Sequence, residues 1–228
     1  MRATELQLQR APKKTILIVD DHPMLRRGLA ALIESEPDLA IFATAATLPA
    51  AIKAIEARQP DLVIVDIALG KDDGLDLVKE IKRSHPHMAS LVLSMHDEAM
   101  YAERALRAGA RGYVTKQQLD ETVLAAIRCV LKGETYMSDT LVRRLAGKYL
   151  NGGTLGTDSP LNTLSDRELQ VFRLIGEGHT TRQIAGALTR SIKTIESHIE
   201  HIKNKLTIQS SAELAQRATR WVETSLAK

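Results

Sequence analysis

The N-terminal part of the chain alternates short apolar runs with stretches of helical period. The runs are 15–20 (TILIVD), 40–44 (AIFAT), 61–66 (DLVIVD), 90–94 (SLVLS) and 112–115 (GYVT). They are apolar at nearly every position, as in strands covered on both faces of a parallel sheet. Helix-period segments lie between and after them, near 22–36, 48–58, 74–84, 98–108 and 118–132. Regular strand–helix alternation with short connections predicts a doubly wound, parallel α/β domain of five βα units. A closed α/β barrel needs about eight units and ~250 residues, so that architecture does not fit.

The pattern changes after residue 133. A further helix is predicted over 138–149, and 151–162 (NGGTLGTDSPLN) has the composition of a linker. Beyond it only helical patterns remain, near 165–176, 180–188, 192–206 and 210–226. Ser165-x-x-Glu168 and Thr180-x-x-Gln183 both read as capping boxes. The chain therefore divides into an α/β domain over 14–133, a linker with a helix over 134–160, and an all-α four-helix domain over 161–228. Segments 180–189 and 192–206, joined by a turn at Arg190-Ser191, have the spacing of a helix-turn-helix DNA reader. On the second of these helices Ile192, Ile195, Ile199, Ile202 and Leu206 form one apolar stripe, predicted to be buried. Lys193, Glu196, Ser197, Glu200 and Asn204 lie opposite, where they can reach a major groove. Lys193, Thr194, Lys203 and Lys205 are candidates for phosphate contacts, together with the helix N-terminus, and Thr181 is a further candidate DNA-binding residue. The bland alternative is a small amphipathic bundle with a solvated face.

Composition and charge sharpen this division. Of 228 residues, 44% are hydrophobic and 26% charged, the profile of an ordinary globular protein. No apolar run approaches the roughly 18–20 residues of a membrane span. The first residues contain no apolar core of a secretory signal, so a cytoplasmic protein without membrane contact is expected. A single cysteine, Cys129, excludes an intrachain disulfide framework and a cysteine-based zinc site. The formal +3 splits unevenly. Residues 1–135 hold 18 Lys+Arg against 19 Asp+Glu, a net of −1; residues 136–228 hold 13 against 9, a net of +4. A basic half is a candidate for nucleic acid.

In a parallel sheet the loops at the carboxyl ends of the strands form the ligand crevice. There the first strand ends in Asp20-Asp21, the third in Asp66 and the fourth in Ser94, while the fifth runs into Lys116. Taken singly, each has an ordinary explanation: a strand-end Asp caps the next helix, a serine bonds a local turn, a lysine is solvated. Together they are harder to dismiss. Clustered carboxylates repel unless a cation intervenes, and Mg²⁺, a hard ion that takes oxygen ligands, is the natural one. With Lys116 nearby, a phosphoryl group arriving on Asp66 is neutralised, and carboxylate nucleophiles do form aspartyl-phosphates.

Asp20-Asp21 after TILIV, Asp66 after DLVIV, Gly74, Ser94 and AGARGYVTK over 108–116 resemble the receiver domain of two-component response regulators. The stretch LSMHDEAMYAERALRAGARGYVTK over 93–116 is similar to the NarL/FixJ subfamily in particular. The resemblance implies a flavodoxin-like receiver fold with Asp66 as phospho-acceptor. It implies Mg²⁺ held by Asp21, Asp66 and the backbone carbonyl of Ala68, with Asp20 beside them. Ser94 would bond the phosphoryl group, Tyr113 would be the coupled switch aromatic, and Lys116 would pair with a phosphoryl oxygen. Likewise LSDRE over 164–168, Ile184-Ala185, SIKTIESHI over 191–199 and Lys205-Leu206 resemble the LuxR-type helix-turn-helix. That likeness makes the helix from Ser191 the recognition helix, with Glu196, Ser197 and Glu200 at its base-reading positions. Four departures stand out. Gly70 occupies a position where many receivers have proline, as does Gln117; Thr207 stands where the DNA-binding family often has glycine, and Ser211 where it often has arginine.

The resulting expectation is a DNA-binding transcription regulator, not an enzyme. Asp66 is phosphorylated by a partner sensor histidine kinase, and the protein acts as a homodimer on a double-stranded operator. Two alternatives stand beside it. One is a regulator that binds DNA independently of phosphorylation. The other is a Mg²⁺-dependent phosphohydrolase with Asp66 as nucleophile, against which Ala68 counts: haloacid-dehalogenase-type enzymes place a second Asp there. Elsewhere, His85-Pro-His87 reads as a surface turn, Cys129 as a buried or interface thiol, and Trp221 as a helix-packing residue.

Overall fold

A computed structural model of the chain describes residues 12–70, 72–95, 98–118, 121–150 and 160–226. The glycine-rich stretch 151–159 at the heart of the predicted linker lies outside the described residues, as does the N-terminus. The strands in chain order are β1 (Lys14–Val19), β2 (Leu39–Ala45), β3 (Leu62–Val65), β4 (Ala68–Leu69), β5 (Asp72–Asp73), β6 (Ala89–Ser94) and β7 (Tyr113–Thr115). β2-β1-β3-β6-β7 form one parallel sheet in that spatial order. β4 and β5 pair antiparallel in a small hairpin just after Asp66. The sequence pattern does not reveal this hairpin, because two-residue strands leave no periodicity to read.

Each strand feeds both faces of the sheet. Leu17, Val19, Val63, Val65 and Val92 point into one apolar layer, and Ile16, Ile18, Leu62, Ile64 and Leu91 into the other. Helices α2 (Leu48–Ala57), α3 (Gly74–Ser84) and α4 (Glu98–Ala108) cover the first layer, and α1 (Pro23–Glu34) and α5 (Glu121–Leu131) the second. This covering explains why the strands read as unbroken apolar runs. Helix α6 (Asp139–Leu150) follows, buries Leu141 and is tied to α4 by a 2.5 Å bond from Ser138 Oγ to Glu98.

The C-terminal unit consists of α7 (Asp166–Gly176), α8 (Thr181–Ala187), α9 (Ile192–Leu206) and α10 (Ser211–Leu226). Both predicted capping boxes form. Ser165 N–H donates to Glu168 Oε2 at 2.7 Å, and Thr180 N–H to Gln183 Oε1 at 2.8 Å. Trp221 on α10 packs against Phe172 on α7, with ring centroids 5.7 Å apart. One expectation fails: Ile192 is 41% exposed and is not part of the buried stripe, which runs through Ile195, Ile202 and Leu206 with Ile199 half-buried. It is the first residue of α9, where the helix has not yet reached its neighbours. Among the described residues no helix is long and apolar enough to cross a membrane.

The two units meet along α3, α4 and the β4–β5 hairpin. Arg104 on α4 donates to the carbonyl oxygens of Leu161 and Leu164 and lies 2.8 Å from Asp166. The Asp166 N–H donates to Asp73 Oδ2 at 3.0 Å, while Asp73 Oδ1 caps α3 through Leu75 N–H. The guanidinium groups of Arg167 and Arg190 both donate to the carbonyl of Gly70. Asp166 is thus buried and faces another carboxylate. Burial first, then Asp73, push its carboxyl up to about 8 against the pull of Arg104.

Two expected outcomes follow from this packing. Thr207, which ends α9, holds φ +54 and ψ 48, a left-handed conformation costly for a β-branched residue. Thr207→Gly is expected to stabilise the C-terminal unit by about 0.5–1 kcal/mol, net of glycine's greater freedom when unfolded, as read by urea unfolding. Contact between the units takes up a proton on Asp166, because the docked carboxyl sits at about 8 against about 4 when free. The resulting stabilisation is complete below about pH 4 and is lost as pH rises to about 8. Fluorescence transfer between labels on the two units should therefore fall across that range, and Asp166→Asn should flatten the response.

Candidate functional site

The strand order brings the predicted acidic residues together. β1 and β3 are neighbours, so their carboxyl ends place Asp20 and Asp66 side by side. Asp20 N–H bonds Ala45 O at 3.1 Å, and Asp66 N–H bonds Val19 O at 2.8 Å. β7 delivers Lys116 from the far side of β6. Its Nζ lies 2.6 Å from Asp66 Oδ2 and 2.7 Å from Asp20 Oδ2. All three are nearly removed from solvent: Asp66 and Asp20 are 3% exposed and Lys116 6%. Burial raises the Asp66 carboxyl to about 6. Lys116 pulls it down, the Asp20 charge pushes it up, and the Ala68 N–H bond lowers it again. Behind Asp66, Gly74 packs so closely that a Cβ there would lie 1.9 Å from the Asp66 carbonyl oxygen, so only glycine fits.

Asp21 stands at the mouth of the pocket. Its Oδ2 accepts the Gly70 N–H at 2.9 Å. Its Oδ1 is buried and accepts no hydrogen bond; its close neighbour is His22 Nδ1 at 2.8 Å. Asp20, Asp21, His22 and Asp66 offer ligand atoms that all lie within 4.8 Å of one another. An oxygen-rich set with one carboxylate oxygen unclaimed fits a hard divalent cation, and receiver domains generally bind Mg²⁺ at such a pocket. Ser94 ends β6 fully buried, in register with Thr115, and Tyr113 is buried two residues earlier on β7. The structure thus brings Asp20, Asp21, Asp66, Ser94 and Lys116 to the carboxyl-end rim of the sheet, while Tyr113 is buried at the start of β7, two residues before that rim. Sequence reading missed His22, although that residue directly follows the acidic pair.

Gly70 gives one departure from the family pattern a structural role. It adopts φ +54, which proline cannot, and its N–H, which proline lacks, is the donor to Asp21. At Ala68 the side chain is a methyl group, so no second carboxylate stands two residues after Asp66.

In the C-terminal unit, α8 and α9 form the predicted helix-turn-helix. Lys193, Glu196, Ser197 and Glu200 are exposed on α9, with Thr181 and Thr194 half-buried near the helix N-termini. Ser191 caps α9 by accepting from Thr194 N–H at 3.1 Å. Two predicted phosphate-contacting lysines are engaged within the protein: Lys203 with Glu200 at 2.9 Å and Lys205 with Glu168 at 2.7 Å. Sequence reading also missed Arg104, Arg167 and Arg190, whose partners are distant in the chain and follow no spacing rule.

Comparisons with known proteins agree with this arrangement. Residues 16–128 match the model of the response regulator receiver domain, and residues 162–218 that of bacterial regulatory proteins of the luxR family. The oxygen regulatory protein NreC of Staphylococcus haemolyticus is 36% identical over 207 residues, covering 89% of this chain and 95% of that one. A solved LuxR-family two-component response regulator from Aurantimonas is 32% identical with TM-score 0.57, covering 60% of this chain and 99% of the other. The RcsB response regulator of Salmonella typhimurium is 26% identical with TM-score 0.56, covering 92% and 99%. A structure of two RcsB dimers bound to two parallel DNAs is similar at 25% identity and TM-score 0.56, covering 93% and 98%. With the paired acidic rim in its N-terminal unit and the capped helix-turn-helix in its C-terminal unit, the chain belongs to the NarL/FixJ family of two-component response regulators, DNA-binding transcription regulators that join a receiver to a LuxR-type domain.

Proposed function

We propose that Asp66 is the phospho-acceptor and that its phosphorylation by a partner histidine kinase controls DNA binding. The observation that carries this reading is the contact of Lys116 with both Asp66 and Asp20 at the sheet rim. In the transfer, the phosphorus–nitrogen bond of the donor phosphohistidine breaks as an Asp66 oxygen bonds to phosphorus, and the imidazole leaves with the electron pair. Lys116 then exchanges a carboxylate partner for a phosphoryl oxygen, a stronger acceptor. Ser94 hydrogen-bonds the same group, and Tyr113 follows its movement. Asp20, Asp21, Asp66 and the Ala68 carbonyl would hold Mg²⁺, which when bound offsets charge on the phosphoryl oxygens. The receiver is assigned to 14–133, the linker to 134–160 and the DNA-binding domain to 161–228. Because kinase, phosphoryl donor and genome must all be reached, the protein is assigned to the cytoplasm.

On DNA, α9 enters the major groove. Glu196, Ser197 and Glu200 face base edges, while Thr181, Lys193, Thr194, Lys203 and Lys205 contact phosphates. Lys203 and Lys205 first exchange their glutamates for phosphates. The RcsB dimers on DNA support a homodimeric arrangement here.

With Mg²⁺ and beryllofluoride or acetyl phosphate, the wild type is expected to shift its oligomeric state and bind operator DNA more tightly. Asp66→Ala should show neither change by light scattering and gel shift, and an identical response in both proteins would refute the switch. Glu200→Ala is expected to relax base preference at one operator position by about 1–3 kcal/mol, read by binding to a library of randomised sites. An unchanged preference at every position would remove its reading role.

A further inference from the structure

The Gly70 carbonyl accepts hydrogen bonds from two guanidinium groups, Arg167 on α7 and Arg190 in the turn before α9. Two like charges converging on one neutral acceptor repel each other, so the surroundings must hold them there. Those surroundings are acidic. Arg167 is half-buried at the interface and lies within electrostatic reach of Asp21, Asp66 and Asp73; partial burial and Arg190 disfavour its charge, and these three carboxylates favour it. The same Gly70 donates its N–H to Asp21. Both cations therefore share Gly70 with the Asp21 carboxylate, and Arg167 also feels Asp66 and Asp73.

Among the described residues, the receiver brings few cations to that site: Arg26 donates to the Asp20 backbone carbonyl and forms no ion pair with the carboxylates. Lys116 supplies one ammonium to Asp20 and Asp66, and Asp21 has only the His22 ring within ion-pair distance among the described residues. We propose that Arg167 and Arg190 act as counter-ions of the receiver's acidic site while the DNA-binding domain is docked, so that Mg²⁺ and the docked domain compete for the same carboxylates. A divalent ion entering beside Asp21 neutralises the charge that holds the arginines and adds a like charge near both. Competition of this kind is reciprocal: whatever factor docking takes from Mg²⁺ affinity, Mg²⁺ takes from docking.

The placement of Arg190 gives the competition a consequence. It immediately precedes Ser191, the N-cap of α9, where a phosphate approaching that helix end would lie. While docked, Arg190 is bound to the receiver. Once released, it joins the cations available to DNA.

The inference rests on Mg²⁺ binding at Asp20, Asp21 and Asp66. Its test is an Mg²⁺ titration of the full chain by calorimetry, with domain docking followed in parallel by fluorescence transfer. Three proteins are compared: wild type, Arg167→Gln with Arg190→Gln, and Arg167→Lys with Arg190→Lys. The glutamine pair is expected to bind Mg²⁺ roughly three- to tenfold more tightly, the scale of a +2/+1 repulsion across a short, largely aqueous gap. The lysine pair should stay near wild type, and Mg²⁺ should undock the wild type. Equal affinity in all three, or weaker binding by the glutamine pair, would overturn the proposal. So would equal tightening in the glutamine and lysine pairs, which would indicate shape and not charge. Absence of Mg²⁺ binding in every protein would instead overturn the metal-site reading on which it rests.

Discussion

An ammonium removed from solvent touches two buried carboxylates at the rim of the parallel sheet, and much of the molecule is arranged around that contact. Lys116, Asp20 and Asp66 arrive from β7, β1 and β3, so the contact exists only if the sheet assembles in the order β2-β1-β3-β6-β7. Burying three charges is costly, and their mutual attraction repays the cost only with close geometry. The unbroken apolar runs of β1, β3 and β6 supply the rigid frame that keeps it. Among the described residues the charges at the rim still do not balance: three carboxylates meet one lysine in direct contact. That surplus makes the site receptive to a divalent cation, and to cations of the protein's own C-terminal domain.

The β4–β5 hairpin joins this site to the rest of the molecule. It starts two residues after Asp66, and the chain leaves it through Gly74, which lies against the Asp66 carbonyl. Gly70 at its turn holds Asp21 on one side and two arginines of the DNA-binding domain on the other. Asp73 at its end caps α3 and accepts the Asp166 N–H. A displacement at Asp66 therefore meets the interface after a few residues of backbone, without a long relay of side chains. Arg104 extends the interface to α4, the helix that follows the Ser94 loop, so both sides of the acidic rim touch the same helix N-terminus of the second domain.

Legibility in the sequence followed the range of the interactions. The βα units, the capping boxes and the helix-turn-helix are written in local periodicity and short spacings, and all appear in the structure. The acidic rim was legible for a different reason: a parallel sheet places every strand's carboxyl end at one edge, so polar residues at those ends converge whatever the loops do. The β4–β5 hairpin was not legible, because four paired residues make no pattern. Ile192 was misplaced because helical period alone does not say where a neighbouring helix stops covering a stripe. The interface arginines carry no signal at all, since Arg104 meets Asp166 and Arg190 meets Gly70 across separations that no spacing rule spans.

The uneven charge of the two halves takes on a different meaning with these contacts in view. The net +4 of residues 136–228 overstates the charge free to attract DNA. In the docked arrangement Arg167 and Arg190 serve the receiver, and Lys203 and Lys205 are paired with Glu200 and Glu168. Lys193 beside the reading face is exposed and enters none of these pairings. Undocking exchanges a receiver lined with carboxylates for a duplex lined with phosphates, so similar cations face similar anions in both states. Salt weakens surface attractions of both kinds. Its effects on docking and on DNA contact therefore partly cancel, and the choice between the states depends less on ionic strength than either contact alone. Phosphorylation at Asp66, as proposed, changes charge on one side only and is then well placed to decide it.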